Sequence, residues 1–154
     1  MKKVQVLLST YNGEKYLKEQ LDSIIAQEGV DVHILVRDDG SKDDTIKILE
    51  GYENIDIIKG SNIGVCKSFF ELINKSGEYD YYSFADQDDV WDCDKLVIAI
   101  NKLEKCDSKP AVYASNTRLV DANLAFLKCE DDNPKTTLGS AFVKKLLYGM
   151  HNGV

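Results

Sequence analysis

Short, predominantly apolar runs recur along the first part of the chain and are separated by segments of a different periodicity. The runs extend from Val4 to Leu8, from Val32 to Val36, from Ile55 to Ile58 and from Tyr81 to Ala85. Runs of this length and composition are typical of strands, and the first fits a strand that is buried on both faces. We therefore predict four strands, each ending at a polar break.

Between these runs, apolar residues return at the three- and four-residue spacing of amphipathic helices. The four predicted faces are Leu17, Leu21, Ile24 and Ile25; Ile46 and Leu49; Val65, Phe69, Leu72 and Ile73; and Leu96, Ala99, Ile100 and Leu103. Asn12 is the expected N-cap of the first helix and Gly29 its stop. Ser41 and Asp44 are expected to form a capping box that opens the second helix. Alternating strands and helices predict an α/β fold with a mostly parallel sheet and helices on both faces.

The pattern changes after Pro110. The later predicted elements are a strand from Ala111 to Ser115, a hairpin from Arg118 to Lys128, a strand from Thr137 to Val143 and the start of a helix from Lys144 to Gly149. We expect one domain overall, in which residues 1–110 form an α/β half and residues 111–154 begin a second, incomplete half.

Three polar clusters fall at the points where predicted strands end. They occupy residues 9–12, 38–41 and 86–89. In open α/β sheets, ligands bind at the carboxyl ends of the parallel strands. The three clusters are therefore expected to contribute to one ligand site.

The third cluster places the carboxylates of Asp86, Asp88 and Asp89 directly after an apolar strand. Crowded carboxylates repel each other, and a bound divalent cation removes that repulsion. Magnesium and manganese prefer hard oxygen ligands, often one or two carboxylates together with substrate phosphates. The cluster predicts a metal-bound, phosphate-bearing substrate, and a solvated acidic loop is the alternative interpretation.

The composition restricts the classes of partner. The 154 residues carry a formal net charge of −7, and the basic residues are scattered lysines with only two arginines, Arg37 and Arg118. This distribution argues against a nucleic-acid-binding surface. The cysteines form no Cys-x-x-Cys pair, so a structural zinc site is not expected and a reducing cytosol is the simplest compartment. No apolar run approaches the length of a transmembrane helix.

Four motifs, met in order along the chain, resemble the inverting family 2 glycosyltransferases, which have the GT-A fold. They run from Leu8 to Asn12, from Val36 to Thr45, from Asn62 to Gly64 and from Asp86 to Trp91. The stretch from Phe84 to Trp91 is similar to the rhamnosyltransferase-like subgroup, which often builds bacterial surface polysaccharides. The resemblance implies a three-layer α/β/α, Rossmann-like nucleotide-diphospho-sugar transferase fold.

The same resemblance implies an enzyme that transfers a sugar, rhamnose in this subgroup, by a metal-assisted inverting single displacement. The donor would be a dTDP- or UDP-sugar, and the acceptor a saccharide or lipid-linked saccharide. Residues 1–110 would then be the donor-binding half and residues 111–154 the start of the acceptor half. The expected location is cytoplasmic, peripheral at the inner face of the membrane, and an incomplete domain with exposed apolar surface favours a homodimer.

Individual roles also follow from the resemblance. Thr10 and Tyr11 would line the base pocket, with the tyrosine ring stacked on uracil or thymine, and Asn12 belongs to the same nucleotide-binding motif. Asp39 would accept a hydrogen bond from N3–H of the base, and Asp38 would orient the loop. Taken alone, Asp39 and the glycine after it are also a common turn pair.

The Asp-x-Asp motif supplies the remaining assignments. Asp86 would bind on the ribose side and also belongs to the metal site, whereas Asp88 would hold the Mn²⁺ or Mg²⁺ that bridges the diphosphate. Gln87 lies between them and is grouped with the nucleotide-binding residues. Lys67, one turn into its helix, would contact a phosphate, with a solvated lysine as the alternative.

The general base that inverting transfer requires is not found. The family places this aspartate or glutamate well downstream of the Asp-x-Asp motif, and no carboxylate follows Ala141 here. The chain is therefore expected to be an N-terminal portion that binds the donor better than it transfers a sugar. A truncated, non-catalytic nucleotide-binding module is the alternative function.

Other α/β and metal-binding classes fit less well. A receiver domain needs its acidic pair after the first strand, where Thr10, Tyr11 and Asn12 stand instead. An EF-hand beginning at Asp86 lacks ligands at the required later positions. A Rossmann dehydrogenase lacks the Gly-x-Gly-x-x-Gly turn after its first strand.

Overall fold

A computed structural model describes residues 1–107, 110–115, 117–121 and 125–130. The elements follow in the order β1 (Lys2–Thr10), α1 (Leu17–Ile25), β2 (Val30–Asp38), α2 (Thr45–Leu49), β3 (Ile55–Lys59), α3 (Val65–Lys75), β4 (Tyr81–Ala85), α4 (Lys95–Glu104), β5 (Thr117–Val120) and β6 (Phe126–Glu130). The chain divides into two compact units, Met1–Ile100 and Asn101–Val154. Their assignment to a donor half and an acceptor half stays a prediction.

The first unit is built on a four-stranded parallel sheet with the order β3-β2-β1-β4. All four predicted strands are confirmed. Since successive side chains of a strand point to opposite faces, each strand divides its apolar residues between two helical layers. This α/β architecture confirms the predicted fold class.

The two faces of the sheet pack against different helices. On one face, alternate residues of β1 such as Val4, Val6 and Leu8 join a buried cluster with residues of α1, α2 and α4. On the other face, Leu7 is buried, as are Phe69 and Leu72 of α3. Phe69 meets Phe84 of β4 edge to face, with ring centroids 5.5 Å apart. The sheet is therefore the middle layer of three.

Both predicted helix caps are wrong, and for the same physical reason. Asn12 has a left-handed backbone (φ 49°) and lies before the helix, which begins at Leu17. Its side-chain oxygen accepts from the backbone N–H of Lys42 instead. Ser41 donates its hydroxyl to Asp38, and Asp44 caps α2 without a side-chain hydrogen bond. Asn12 and Ser41 thus bond across to a neighbouring loop or strand end, whereas the Asp44 carboxylate lies 3.7 Å from Lys47 Nζ of α2 itself.

In the later part of the chain, the structure confirms one predicted element and contradicts another. β5 and β6 pair antiparallel, which confirms the hairpin predicted from Arg118 to Lys128. The strand predicted from Ala111 to Ser115 is wrong, since those residues have no regular structure. The elements predicted for 137–143 and 144–149 lie outside the described residues. Within the described part of the chain, no helix has the length and apolar character needed to cross a bilayer.

Two residues of α1 test the packing of this layer. Leu21 is fully buried, whereas Ile25, predicted to share its face, is 51% exposed. We expect Leu21→Ala to lower the free energy of unfolding by about 2–5 kcal/mol, because it leaves a cavity in the core. Ile25→Ala should change it by less than about 0.5 kcal/mol. Urea denaturation of both variants measures the contrast, and equal losses would contradict the packing described here.

Candidate functional site

Three loops meet at the carboxyl edge of the sheet. The strand register pairs Thr10 with Asp38 and Leu8 with Ala85, so β1, β2 and β4 end close together. The loops that follow these strands carry residues 11–16, 39–44 and 86–94. The three polar clusters recognised in the sequence therefore lie on one edge.

Asp38, at the end of β2, holds the turn that follows it. Its carboxylate is buried and accepts from the backbone N–H groups of Gly40 and Ser41, both at 2.9 Å. The other oxygen accepts the hydroxyl of Ser41 at 2.5 Å and that of Thr10 at 3.2 Å. With four donors, this carboxylate stabilises the turn. The Thr10 side chain is buried and donates to Asp38, and its place in a base pocket stays a prediction.

Arg37 is a buried cation directly behind this turn, and only 2% of its surface is exposed. Its Nη1 donates to Asp39 Oδ1 at 2.5 Å and its Nε to Glu71 Oε2 at 2.6 Å. Its Nη2 donates to the carbonyl of Ser61 at 3.2 Å. Burial alone would lower the pKa of Arg37, but the hydrogen bonds and charges of Glu71 and Asp39 outweigh it and raise the pKa. The guanidinium thus joins β2 to α3.

Asp39 is buried between this guanidinium and the start of α3. Its Oδ1 also accepts from the N–H of Ile63 at 2.8 Å, and its Oδ2 accepts from that of Gly64 at 2.9 Å. Burial works to raise the pKa of Asp39, yet the donors Ile63, Arg37 and Gly64 together hold it below the usual aspartate value. Asp39 is therefore an ionised carboxylate fixed in place before any ligand binds.

Five hydrogen bonds connect the loop after β1 with the segment after β2. The N–H groups of Asn12, Gly13 and Glu14 donate to Ser41 Oγ, Thr45 Oγ1 and Asp43 Oδ2, respectively. In the other direction, the N–H groups of Lys42 and Asp44 donate to Asn12 Oδ1 and Glu14 Oε2, respectively. Both chain segments act as donor and acceptor, so each segment holds the other in place through hydrogen bonds. The Asn12 amide oxygen is used in this connection, which gives Asn12 a supporting position.

Gln87 connects the acidic loop, residues 86–90, to the loop after β1. Its Oε1 accepts from the N–H of Tyr11 at 2.8 Å, and its Nε2 donates to the carbonyl of Tyr11 at 3.2 Å. Both polar ends of the amide are engaged, so Gln87 positions Tyr11, and its grouping with the nucleotide-binding residues stays a prediction. Tyr11 as a residue is 44% exposed, which leaves its side chain available to a ligand.

The acidic loop crowds three carboxylates. Asp86 reaches solvent, yet desolvation by surrounding atoms raises its pKa, and the charges of Asp89 and Asp88 raise it further. The pKa of Asp89 is raised in the same way, by desolvation and then by Asp88, with Lys95 as an opposing charge. These oxygen donors fit a hard divalent cation. Among the residues that the structure describes, no group of three or more His, Cys, Asp or Glu side chains is arranged to hold a metal ion by itself. Bound phosphates and water would have to complete it.

Lys67 is exposed on the first turn of α3. The backbone N–H groups of Ile63 and Gly64, just before this helix, donate to the Asp39 carboxylate. Lys67 therefore lies three residues after the segment that is bonded to Asp39, the residue expected to contact the base. Its contact with a phosphate stays a prediction.

Arg37 and Glu71 were not singled out as site residues from the sequence. A signal was present, because an arginine that directly follows a predicted strand needs a carboxylate partner if it becomes buried. Local sequence does not identify the partner, since Glu71 lies in a helix 34 residues away.

Comparison with known proteins agrees with this geometry. The family model for glycosyl transferase family 2 matches residues 5–136. That match covers most of the 154 residues, so the chain belongs to glycosyl transferase family 2.

Two curated relatives illustrate the range of similarity. The dTDP-rhamnosyl transferase RfbG of Shigella flexneri is 42% identical over 105 residues, which are 62% of this chain and 36% of that protein. An uncharacterized glycosyltransferase of Rickettsia typhi, RT0329, is 30% identical over 138 residues, which are 88% of this chain and 43% of that protein. The chain thus spans less than half the length of these relatives.

The crystal structure of S. aureus TarS residues 1–349 in complex with UDP superimposes with a TM-score of 0.61 at 29% identity. The match covers 67% of this chain and 32% of that one. The fold is therefore the GT-A fold that the motifs implied.

The Asp39 network predicts a dependence of stability on pH. A carboxylate whose pKa is lowered in the folded state stabilises it above the unfolded pKa and loses that effect as pH falls through the folded value. Asp39→Asn should therefore lower the free energy of unfolding at pH 7 by about 1.5–3 kcal/mol, with the difference from wild type shrinking below about pH 4. Asp31→Asn, which removes an equal charge at the opposite edge of the sheet and outside this network, is the control. Urea denaturation between pH 7 and pH 3 measures all three curves. A constant gap between Asp39→Asn and wild type contradicts the assignment.

Proposed function

We propose that this chain carries the donor-nucleotide site of a glycosyltransferase that takes its sugar from a nucleoside diphosphate sugar. One observation carries the proposal. An exposed aromatic ring at Tyr11 and a cluster of three carboxylates lie on the same edge of the sheet and are joined through Gln87. A nucleoside diphosphate has the matching parts, because it combines a flat base with a diphosphate that requires a cation among carboxylates.

The base-binding part rests on Tyr11 and Asp39. The half-exposed tyrosine ring offers a face on which a base can stack. Asp39 Oδ2 accepts one backbone N–H, from Gly64, and keeps a lone pair for a further donor. A pyrimidine supplies that donor at N3–H. UDP in the TarS complex and the dTDP of RfbG both contain such a base, which supports a UDP- or dTDP-sugar.

The diphosphate-binding part rests on the acidic loop. We assign Asp88 to a Mn²⁺ or Mg²⁺ ion and Asp86 to the ribose side of the metal site, with Lys67 towards a phosphate. When bound, such an ion acts as a Lewis acid that stabilises the charge of the departing nucleoside diphosphate. The carboxylates hold and orient it, and their mutual repulsion is reduced when it is present.

The reaction proposed is an inverting single displacement. A hydroxyl of the acceptor attacks the anomeric carbon of the donor sugar, the bond to the diphosphate breaks, and a general base accepts the hydroxyl proton. That base is not assigned to any residue of this chain. The similarity to RfbG supports rhamnose as the sugar. We propose a bacterial surface polysaccharide as the product. We place the enzyme in the cytoplasm at the inner face of the membrane, acting on a saccharide or lipid-linked saccharide.

Asp88→Asn tests the metal assignment. The variant loses a charged ligand, so it should lose the manganese-dependent part of UDP and dTDP binding while its thermal midpoint stays within about two degrees of wild type. Asp31→Asn removes an equal charge from the other edge of the sheet and should bind as wild type does. Isothermal calorimetry with and without Mn²⁺ measures both. Unchanged manganese dependence in Asp88→Asn would rule out this ligand.

Tyr11→Ala tests base stacking. Loss of an aromatic ring from a stacked base costs about 1–3 kcal/mol, so the affinity for UDP and dTDP should fall by about 5- to 150-fold. Tyr16→Ala is the matched control, because Tyr16 is 45% exposed and lies five residues along the same loop. Competition binding with both variants gives the comparison. Equal weakening by the two substitutions is inconsistent with stacking on Tyr11.

A further inference from the structure

One buried polar side chain in the first unit has no partner. Gln20, on α1, is 0% exposed, and within the described part of the chain neither Nε2 nor Oε1 has a hydrogen bond. An amide in this position loses its hydrogen bonds to water and gains none in return. An apolar residue of similar volume would pack there without that penalty. The presence of an amide therefore points to a partner that is supplied in another state of the protein.

Gln20, Ser23 and Gln27 form a row of polar side chains that begins on α1 and ends just beyond it. Residues three apart on a helix share one side, so Gln20 and Ser23 lie on the same side of α1. Gln27 follows the end of the helix and donates to the Ser23 carbonyl at 3.2 Å. Ser23 Oγ accepts from the N–H of Trp91 at 3.0 Å. Gln27 donates to the carbonyl of Asp92 at 2.7 Å and accepts from the N–H of Leu96 at 2.9 Å. The other two members of the row thus hold the backbone that follows the acidic loop.

The row and that backbone run in the same direction. Ser23 meets residue 91, Gln27 meets residue 92, and the N–H of Glu28 donates to the carbonyl of Cys93 at 2.8 Å. Gln20 lies three residues before Ser23, a step of about 4.5 Å along a helix. Because Ser23 meets Trp91, Gln20 is placed towards the residues that precede Trp91, among them Asp89 and Val90.

We propose that Gln20 is a positioning residue for the acidic loop, defined here as residues 86–90. Its Nε2–H donates to an oxygen of Asp89 when that loop holds a divalent cation together with a nucleoside diphosphate. The proposal rests on the donor-binding function proposed above. Gln20 acts through the loop and does not itself contact the nucleotide.

The chemistry of an amide suits this task. A neutral donor can orient a carboxylate without cancelling its charge, so the loop keeps its attraction for a cation. A lysine at the same position would neutralise the charge and compete with the metal. An apolar residue would leave the loop without a fixed partner on this side.

The test compares two buried glutamines. Gln20→Met should leave the thermal midpoint of the free protein unchanged or raised, because it removes an unpaired amide, and should weaken Mn²⁺ binding in the presence of UDP by about three- to tenfold. Gln5→Met is the matched control. Gln5 is buried in β1 and accepts from the N–H of Gly77 at 3.1 Å, so this variant should lower the midpoint and leave Mn²⁺ binding unchanged. Free Mn²⁺ is measured by electron paramagnetic resonance.

The outcomes separate this inference from the function on which it rests. If wild type fails to bind Mn²⁺ in the presence of UDP or dTDP, the proposed function is wrong. If wild type binds and Gln20→Met binds equally well, the positioning role is wrong, and a water molecule satisfying the amide becomes the better explanation. Should Gln20→Met not fold, the side-chain amide signal of Gln20 in wild type decides by NMR. A shift on adding Mg²⁺ and UDP supports the role, and an unmoved signal overturns it.

Discussion

The buried guanidinium of Arg37 is the constraint on which the carboxyl edge of this sheet depends. A charge removed from water must be compensated in place, and here Asp39 and Glu71 supply two carboxylates within 2.6 Å. Because one partner follows β2 and the other lies in α3, the same contact fixes the relation between strand and helix. Gly60 lies against the guanidinium, and a Cβ at that position would come within 2.4 Å of Nη2. The guanidinium therefore leaves no room for a side chain at position 60.

The rest of the site is connected to this network through hydrogen bonds between loops. Asp38 holds the turn beside Arg37, that turn holds Asn12, and the neighbouring Tyr11 is held by Gln87 of the acidic loop. A stacking surface and a carboxylate cluster are therefore parts of one hydrogen-bonded edge. Such preorganisation reduces the ordering cost of binding a ligand that contacts both.

The sequence predicted the strands of the sheet, the β5–β6 hairpin and the convergence of three polar clusters, because these follow from local periodicity and from the geometry of parallel sheets. It did not predict what several polar side chains do. Asn12 and Ser41 have the local signature of helix caps, yet both bond to segments distant in sequence. Gln87 lies within a metal motif but holds the backbone of Tyr11. Choices of this kind depend on which loops become neighbours, and short-range patterns carry no information about that.

We expect this edge of the sheet to bind a pyrimidine nucleoside diphosphate together with a divalent cation. The decisive experiment is calorimetric titration of the chain with UDP, dTDP and GDP, each with and without Mn²⁺. UDP or dTDP should bind only when Mn²⁺ is present, and GDP should bind more weakly than either. Binding that is indifferent to Mn²⁺, or equal for GDP, would contradict this expectation.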